Sequence, residues 1–201
     1  MVVAALAMID DGGLESFSLR RLAAAMGVGN MTLYGHVESR DALLALVYDH
    51  VLGTVESDDL DQVPPFDAIR VLAGRWQQAM RPHPHLFPLH LSDAVLFGPN
   101  AARIVGHYFD CFARAGLDAA QALEAFNLTV AVQLGTAVVD RIGVDTGLRA
   151  ELRSAAAAFE GGEEAAQLEA AAAAPPLLTV DERLDGALRA LFDGLPAILG
   201  R

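Results

Sequence analysis

A chain of 201 residues that is 53% hydrophobic can bury a real core, and it suits one medium domain or a small module joined to a larger one. Its net charge of −12 argues against nucleic acid as a partner and predicts only modest non-specific affinity, and all 14 of its basic residues are arginine, the better residue for bidentate phosphate or guanine contacts. A lone cysteine, Cys111, excludes an internal disulfide, and the lack of a charge-free apolar run of about 18 residues or a basic N-terminal flank predicts a cytoplasmic chain with no membrane span.

Residues 2–9 (VVAALAMI) predict an apolar helix stopped by Asp10-Asp11-Gly12-Gly13, where glycine supplies the left-handed C-terminal position. Ser18 is a good N-cap for a second helix, in which Leu19, Leu22, Ala23 and Met26 repeat at helical spacing until Gly27 closes it. Val28-Gly29 makes a tight turn. Asn30 then caps a short third helix whose Leu33 and Val37 face inward, leaving Thr32, Tyr34 and His36 to point elsewhere. Ser39 caps a linking helix over about 40–57, with Asp41 in its first turn and an apolar stripe from Ala42 to Val51.

The polar stretch ending in Pro64-Pro65 marks the domain boundary. Helical periodicity resumes at Phe66, Ile69, Leu72, Ala73, Trp76 and Met80 and stops at Pro82; residues 82–93 read as irregular. Pro99 opens a helix that runs to Gly116. Asp118 caps the longest one, to about residue 142, apolar on nearly every side. Residues 154–176 are an Ala/Glu/Gly low-complexity segment, read as a helical or mobile loop, and a last amphipathic helix carries Leu184, Leu188, Leu191, Phe192 and Leu195. With no convincing strand the class is all-α, divided into an N-terminal unit over 1–55 and a larger helical unit over 66–201.

Two short helices joined by a glycine-containing turn, the second exposing polar and aromatic side chains, form the helix-turn-helix pattern, and a DNA major groove is the surface that such side chains suit. The run SLRRLAAAMGVGNMTLYGHVESRDALL resembles the helix-turn-helix of the TetR (tetracycline repressor) family through R-x-L-A-x-x-x-G-V, then T-L-Y-x-H-V, then A-L-L in the third helix. That resemblance implies Ser18 and Arg20 near phosphates, Asn30, Met31, Thr32, Tyr34 and His36 on the recognition helix, and Arg40 at a phosphate-contacting position. Gly35 departs from the bulky residue usual there, and the family's basic arm ahead of the first helix has no counterpart. A mid-helix glycine would cost about 1 kcal/mol relative to alanine.

The resemblance also implies an operator-bound dimer released by a small-molecule effector. Trp76, Met80, Phe87, His90, Phe97, Tyr108, Phe112, Asn127 and Gln133 combine apolar surface with hydrogen-bonding groups, the make-up of a ligand cavity, and amides at Asn127 and Gln133 in an apolar helix would need partners. The helices 118–142 and 181–195 carry apolar faces suited to a four-helix homodimer interface. His83, His85, His90 and His107 invite a metal site, but a Pro-broken connector with solvated or hydrogen-bonded histidines fits better. PLHLSD resembles the stretch whose histidine binds drug-chelated magnesium in the tetracycline repressor, yet Ala131 and Val139 stand where a further histidine and an acid belong. No cofactor or metal is expected, and no HExxH, GxSxG or phosphate loop points to an enzyme. A non-DNA helical binding module is the alternative that the acidic charge favours.

Overall fold

The computed structural model describes residues 1–90, 98–141, 144–159, 162–175 and 178–200, and these contain no strand. They divide into two compact units, Met1–Phe126 and Asn127–Arg201. Helix α1 (Val2–Ser16) is longer than the sequence suggests. Asp10, Asp11 and Gly12 do not end it. Only Gly13, at φ 75°, breaks the helical backbone, and one further turn follows in which the Ser16 hydroxyl donates to the Gly13 carbonyl.

Helix α2 (Leu19–Ala25) starts as expected at Ser18, whose hydroxyl accepts from the Arg21 N–H, and Gly27 closes it at φ 67°. Helix α3 spans Asn30–Tyr34 and is capped by Gly29, so Asn30 is its first residue and not its cap. Because α3 ends at Tyr34, Gly35 is not mid-helix; it is the C-cap, in right-handed geometry that alanine also adopts. Helix α4 (Arg40–Leu52) starts at Ser39 as read but stops a turn short of residue 57.

Leu22, Leu33, Leu43 and Val47 are buried together with Ala5 and Ile9 of α1, and α4 packs on both α1 and α7. Helix α5 (Pro65–Met80) starts on proline, whose missing N–H costs nothing at that position. The connector after it is more ordered than its prolines suggest. A single 3-10 turn (Pro84–Leu86) leads into α6 (Phe87–His90), and the turn packs on α1. His83 Nδ1 lies 2.9 Å from the Asp10 carboxylate, and the His85 ring covers Gly13, so two of the three connector histidines serve the α1 interface. Helix α7 (Pro99–Arg114) packs against α5 and turns at Gly116, φ 81°.

Helix α8 (Ala119–Arg141) opens with Asp118 accepting from the Gln121 N–H at 2.9 Å. The low-complexity region is helical: α9 (Val144–Ala158) packs against α10 (Glu163–Ala173). Helix α11 (Val180–Ile198) begins with a full capping box between Thr179 and Glu182. Its Leu184, Leu188 and Leu195 are buried within the single chain, so that stripe is not available as a free dimer face. The physical reason is that these side chains already complete a core inside one copy.

Candidate nucleic-acid interface

Helix α3 is short enough that its burial pattern is simple: Leu33 points into the core, and Val37 follows it there one turn later. Asn30, Met31, Thr32, Tyr34 and His36 are all exposed, Met31 to 85%. Among the described residues none of the polar ones has a side-chain hydrogen-bond partner within the chain. A row of amide, hydroxyl, phenol and imidazole groups that the protein does not satisfy internally is held on a helix anchored by two apolar side chains. Such groups suit hydrogen bonding to phosphates and base edges, and Met31 suits contact with a thymine methyl group.

The three arginines of residues 1–50 are not equivalent. Arg21 donates to the Ser16 carbonyl, and Arg40 donates to the carbonyls of Phe17 at 3.3 Å and Leu14 at 2.7 Å, with its guanidinium over the Phe17 ring at 5.9 Å. Both therefore close the C-terminal end of α1, where unpaired carbonyls and the helix dipole favour a cation. Arg40, which the resemblance puts at a phosphate-contacting position, here uses its Nε and one terminal nitrogen within the chain while the side chain stays 42% exposed. Arg20 is exposed and, among the described residues, is the arginine of this region with no internal partner. Ser18, expected near phosphate, uses its hydroxyl as the α2 cap.

The residues expected around a ligand fall into three groups. Trp76, Met80, Phe87, Tyr108, Phe112 and Gln133 are buried, whereas Asn127 is exposed on α8, so water satisfies its amide and the cost of an unpaired buried group does not apply. Phe97 and the side chain of His90 lie outside the described residues. Burial pushes the Tyr48 phenol well above its ordinary value, against the lowering effect of a hydrogen bond from the Trp76 indole that ties α4 to α5. Tyr108 is raised chiefly by burial and meets Phe126 edge-on at 5.6 Å. Burial also raises the Cys111 thiol, which leaves it protonated and unreactive at neutral pH.

Gln77 was not anticipated. It is 3% exposed on α5, and among the described residues neither its Oε1 nor its Nε2 has a hydrogen-bond partner. Burying an amide without partners costs about 1–3 kcal/mol, which a water or a bound polar group would offset. The spacing Ile69, Ala73, Gln77, Met80 places it on the buried face, a signal present in the sequence but masked by the adjacent polar Gln78.

Comparison with known proteins agrees with this arrangement. Residues 2–47 match the model of bacterial regulatory proteins of the tetR family. The chain is 36% identical over 102 residues to the HTH-type transcriptional repressor DrrR1 of Streptomyces coeruleorubidus, a match covering 50% of this chain and 37% of that one. The chain thus spans well under half the length of that relative. It superimposes on ActR of Streptomyces coelicolor in complex with actinorhodin with a TM-score of 0.80 at 25% identity, over 100% of this chain and 96% of that one. BioQ bound to its double-stranded DNA operator aligns with a TM-score of 0.61 and 26% identity, over 70% of this chain and 84% of that one. Residues 2–47 are thus similar in sequence to the tetR-family helix-turn-helix, and the chain as a whole shares the fold of ActR.

Proposed function

We propose that this chain is a transcriptional repressor in which residues 1–55 bind operator DNA and residues 66–201 bind a small effector and dimerise. The observation that carries the reading is α3, which buries Leu33 and leaves Asn30, Met31, Thr32, Tyr34 and His36 exposed. Arg20 supplies the free cation beside it. One copy reads too few bases for useful specificity, whereas a two-fold dimer sets two recognition helices about 34–36 Å apart on a near-palindrome.

Helix α8 supports the dimer. Ala119–Val139 is long and apolar enough to cross a membrane by length and composition, and only 28% of that window is buried. Its Thr129, Gln133 and Thr136 are buried against the rest of the chain, so α8 packs one face internally and leaves an apolar face, with Leu123 53% exposed, for a second helix. A second copy of the same helix is the occupant that this face fits, and the work of such a protein places it in the cytoplasm with the DNA.

The effector reading rests on Gln77, set among Trp76 and Met80 on the buried face of α5. ActR, the relative whose complex contains actinorhodin, makes that compound the first probe to use here. The binding test is a mobility shift with the DNA upstream of the chain's own coding sequence at fixed salt. Retention that is lost in Tyr34→Ala and Thr32→Ala is the expected result; equal retention by wild type and both variants defeats the assignment of α3 to the groove.

A further inference from the structure

The buried face of α5 is apolar except at one position. Ile69, Leu72, Ala73, Trp76 and Met80 recur on it at helical spacing, all buried, and Gln77 lies among them. The polar atom of its neighbour is already served: the Trp76 indole donates to the Tyr48 phenol of α4. On the other side α5 packs against α7, whose Ile104, Tyr108 and Phe112 are buried. Gln77 Oε1 and Nε2 are, among the described residues, the buried side-chain atoms left without a hydrogen bond.

Two features restrict what can meet this amide. The first is the lack of a counter-charge. Among the described residues Asp49 is the one charged side chain that is fully buried, and both of its carboxylate oxygens already accept hydrogen bonds, from the Ala101 backbone N–H and the Asn100 side chain. An ionised group brought to Gln77 would lose its water and find no opposite charge. The second is the shape of an amide, which offers an acceptor and a donor side by side in one plane. Its full complement is a group with a donor and an acceptor on one edge: a primary amide, a lactam, or a hydroxyl beside a carbonyl. Water is a poorer complement. An internal water is held by several polar partners, and among the described residues no second orphaned side chain is there for it to bridge.

We propose that Gln77 is the specificity-determining residue of the effector site, and that it selects an uncharged ligand presenting a hydrogen-bond donor and acceptor on one edge of a largely apolar body. This deepens the effector reading above and rests on it only for the statement that binding releases DNA. The apolar neighbours of Gln77 reward any hydrophobic ligand of suitable size, whereas the amide pair rewards only a ligand that satisfies both of its atoms.

Trp76 is the one tryptophan of the chain and adjoins Gln77, so its fluorescence reads binding directly and without DNA. Three probes share one ring: benzamide carries donor and acceptor on one edge, N,N-dimethylbenzamide keeps the acceptor alone, and benzoate carries a charge. On the wild-type full chain, benzamide should bind about tenfold more tightly than either of the others, the effect of one satisfied amide pair. In Gln77→Leu, and in Gln77→Met, which keeps the length of the side chain, that advantage should shrink to about twofold or less. Circular dichroism confirms that each variant is folded. Equal binding of the three probes by wild type, binding by none of them at any soluble concentration, or a full benzamide advantage in both variants overturns the proposal. A mobility shift with the same probes is the second arm. DNA retention unchanged by benzamide already bound at Gln77 refutes the effector reading and leaves the assignment of Gln77 standing.

Discussion

The guanidinium of Arg40 donates to the Leu14 carbonyl at 2.7 Å, so the first residue of α4 closes the open end of α1. This gives Arg40 and Arg20 different expected phenotypes. Arg40→Ala should lower unfolding stability by about 1 kcal/mol, given that the group is partly exposed, and Arg40→Lys should restore little because a point charge cannot reach both carbonyls. Arg20→Ala should leave urea unfolding unchanged and reduce the salt slope of DNA binding by about 1. Exchanged phenotypes would show that Arg40 leaves α1 to meet phosphate.

Gly35 offers a separate test of how closely α3 approaches DNA. Its backbone is right-handed, and an added Cβ would lie 3.3 Å from the Thr32 carbonyl, a spacing that a small adjustment relieves. Gly35→Ala should therefore change stability by less than about 0.5 kcal/mol. A loss of DNA affinity in this variant with unchanged melting would place the backbone of residue 35 against the duplex. Unchanged affinity would mean that the glycine is simply a lost contact.

Gln77→Leu tests the orphaned amide. Replacing it with an apolar group of similar size removes the desolvation cost and should stabilise the chain by about 1–2 kcal/mol, read as a higher midpoint in urea. The same change should weaken binding of actinorhodin, if that compound is bound, by removing both a donor and an acceptor. A drop in stability would show that Gln77 already has a partner, such as an ordered water, and is structural.

The N-terminus of α11 carries a pH dependence with a definite sign. Backbone and then side-chain hydrogen bonds from Thr179 hold the Glu182 carboxyl below the usual carboxylate range. A lowered folded value means that the contribution is present above the ordinary carboxylate pKa and is lost as pH falls through the depressed one. Amide exchange in α11's first turn should accelerate on acidification below that range; Glu182→Gln should abolish this response, whereas Thr179→Ala, which keeps the backbone N–H donor, should only reduce it. An acid response that is identical in Glu182→Gln assigns it elsewhere.

Much of this molecule was legible before folding because its signals are local. Ser18, Ser39 and Asp118 cap helices through atoms three residues away, and Leu33 with Val37 orients α3 by spacing alone. The exposed row on α3 follows from that orientation. Tertiary structure decided which polar groups remain available, since that depends on elements far apart in sequence. Arg40 looks like a phosphate ligand until the ends of α1 and α4 meet, and Asn127 looks like a buried amide until its side of α8 is seen to be exposed. Asp49 reads as a mid-helix acid that ought to face water; only the approach of Gly98 and Ala101, some fifty residues later, makes it a buried cap. Helical periodicity fixes which direction a side chain points, whereas hydrogen-bond satisfaction depends on what the rest of the chain brings there.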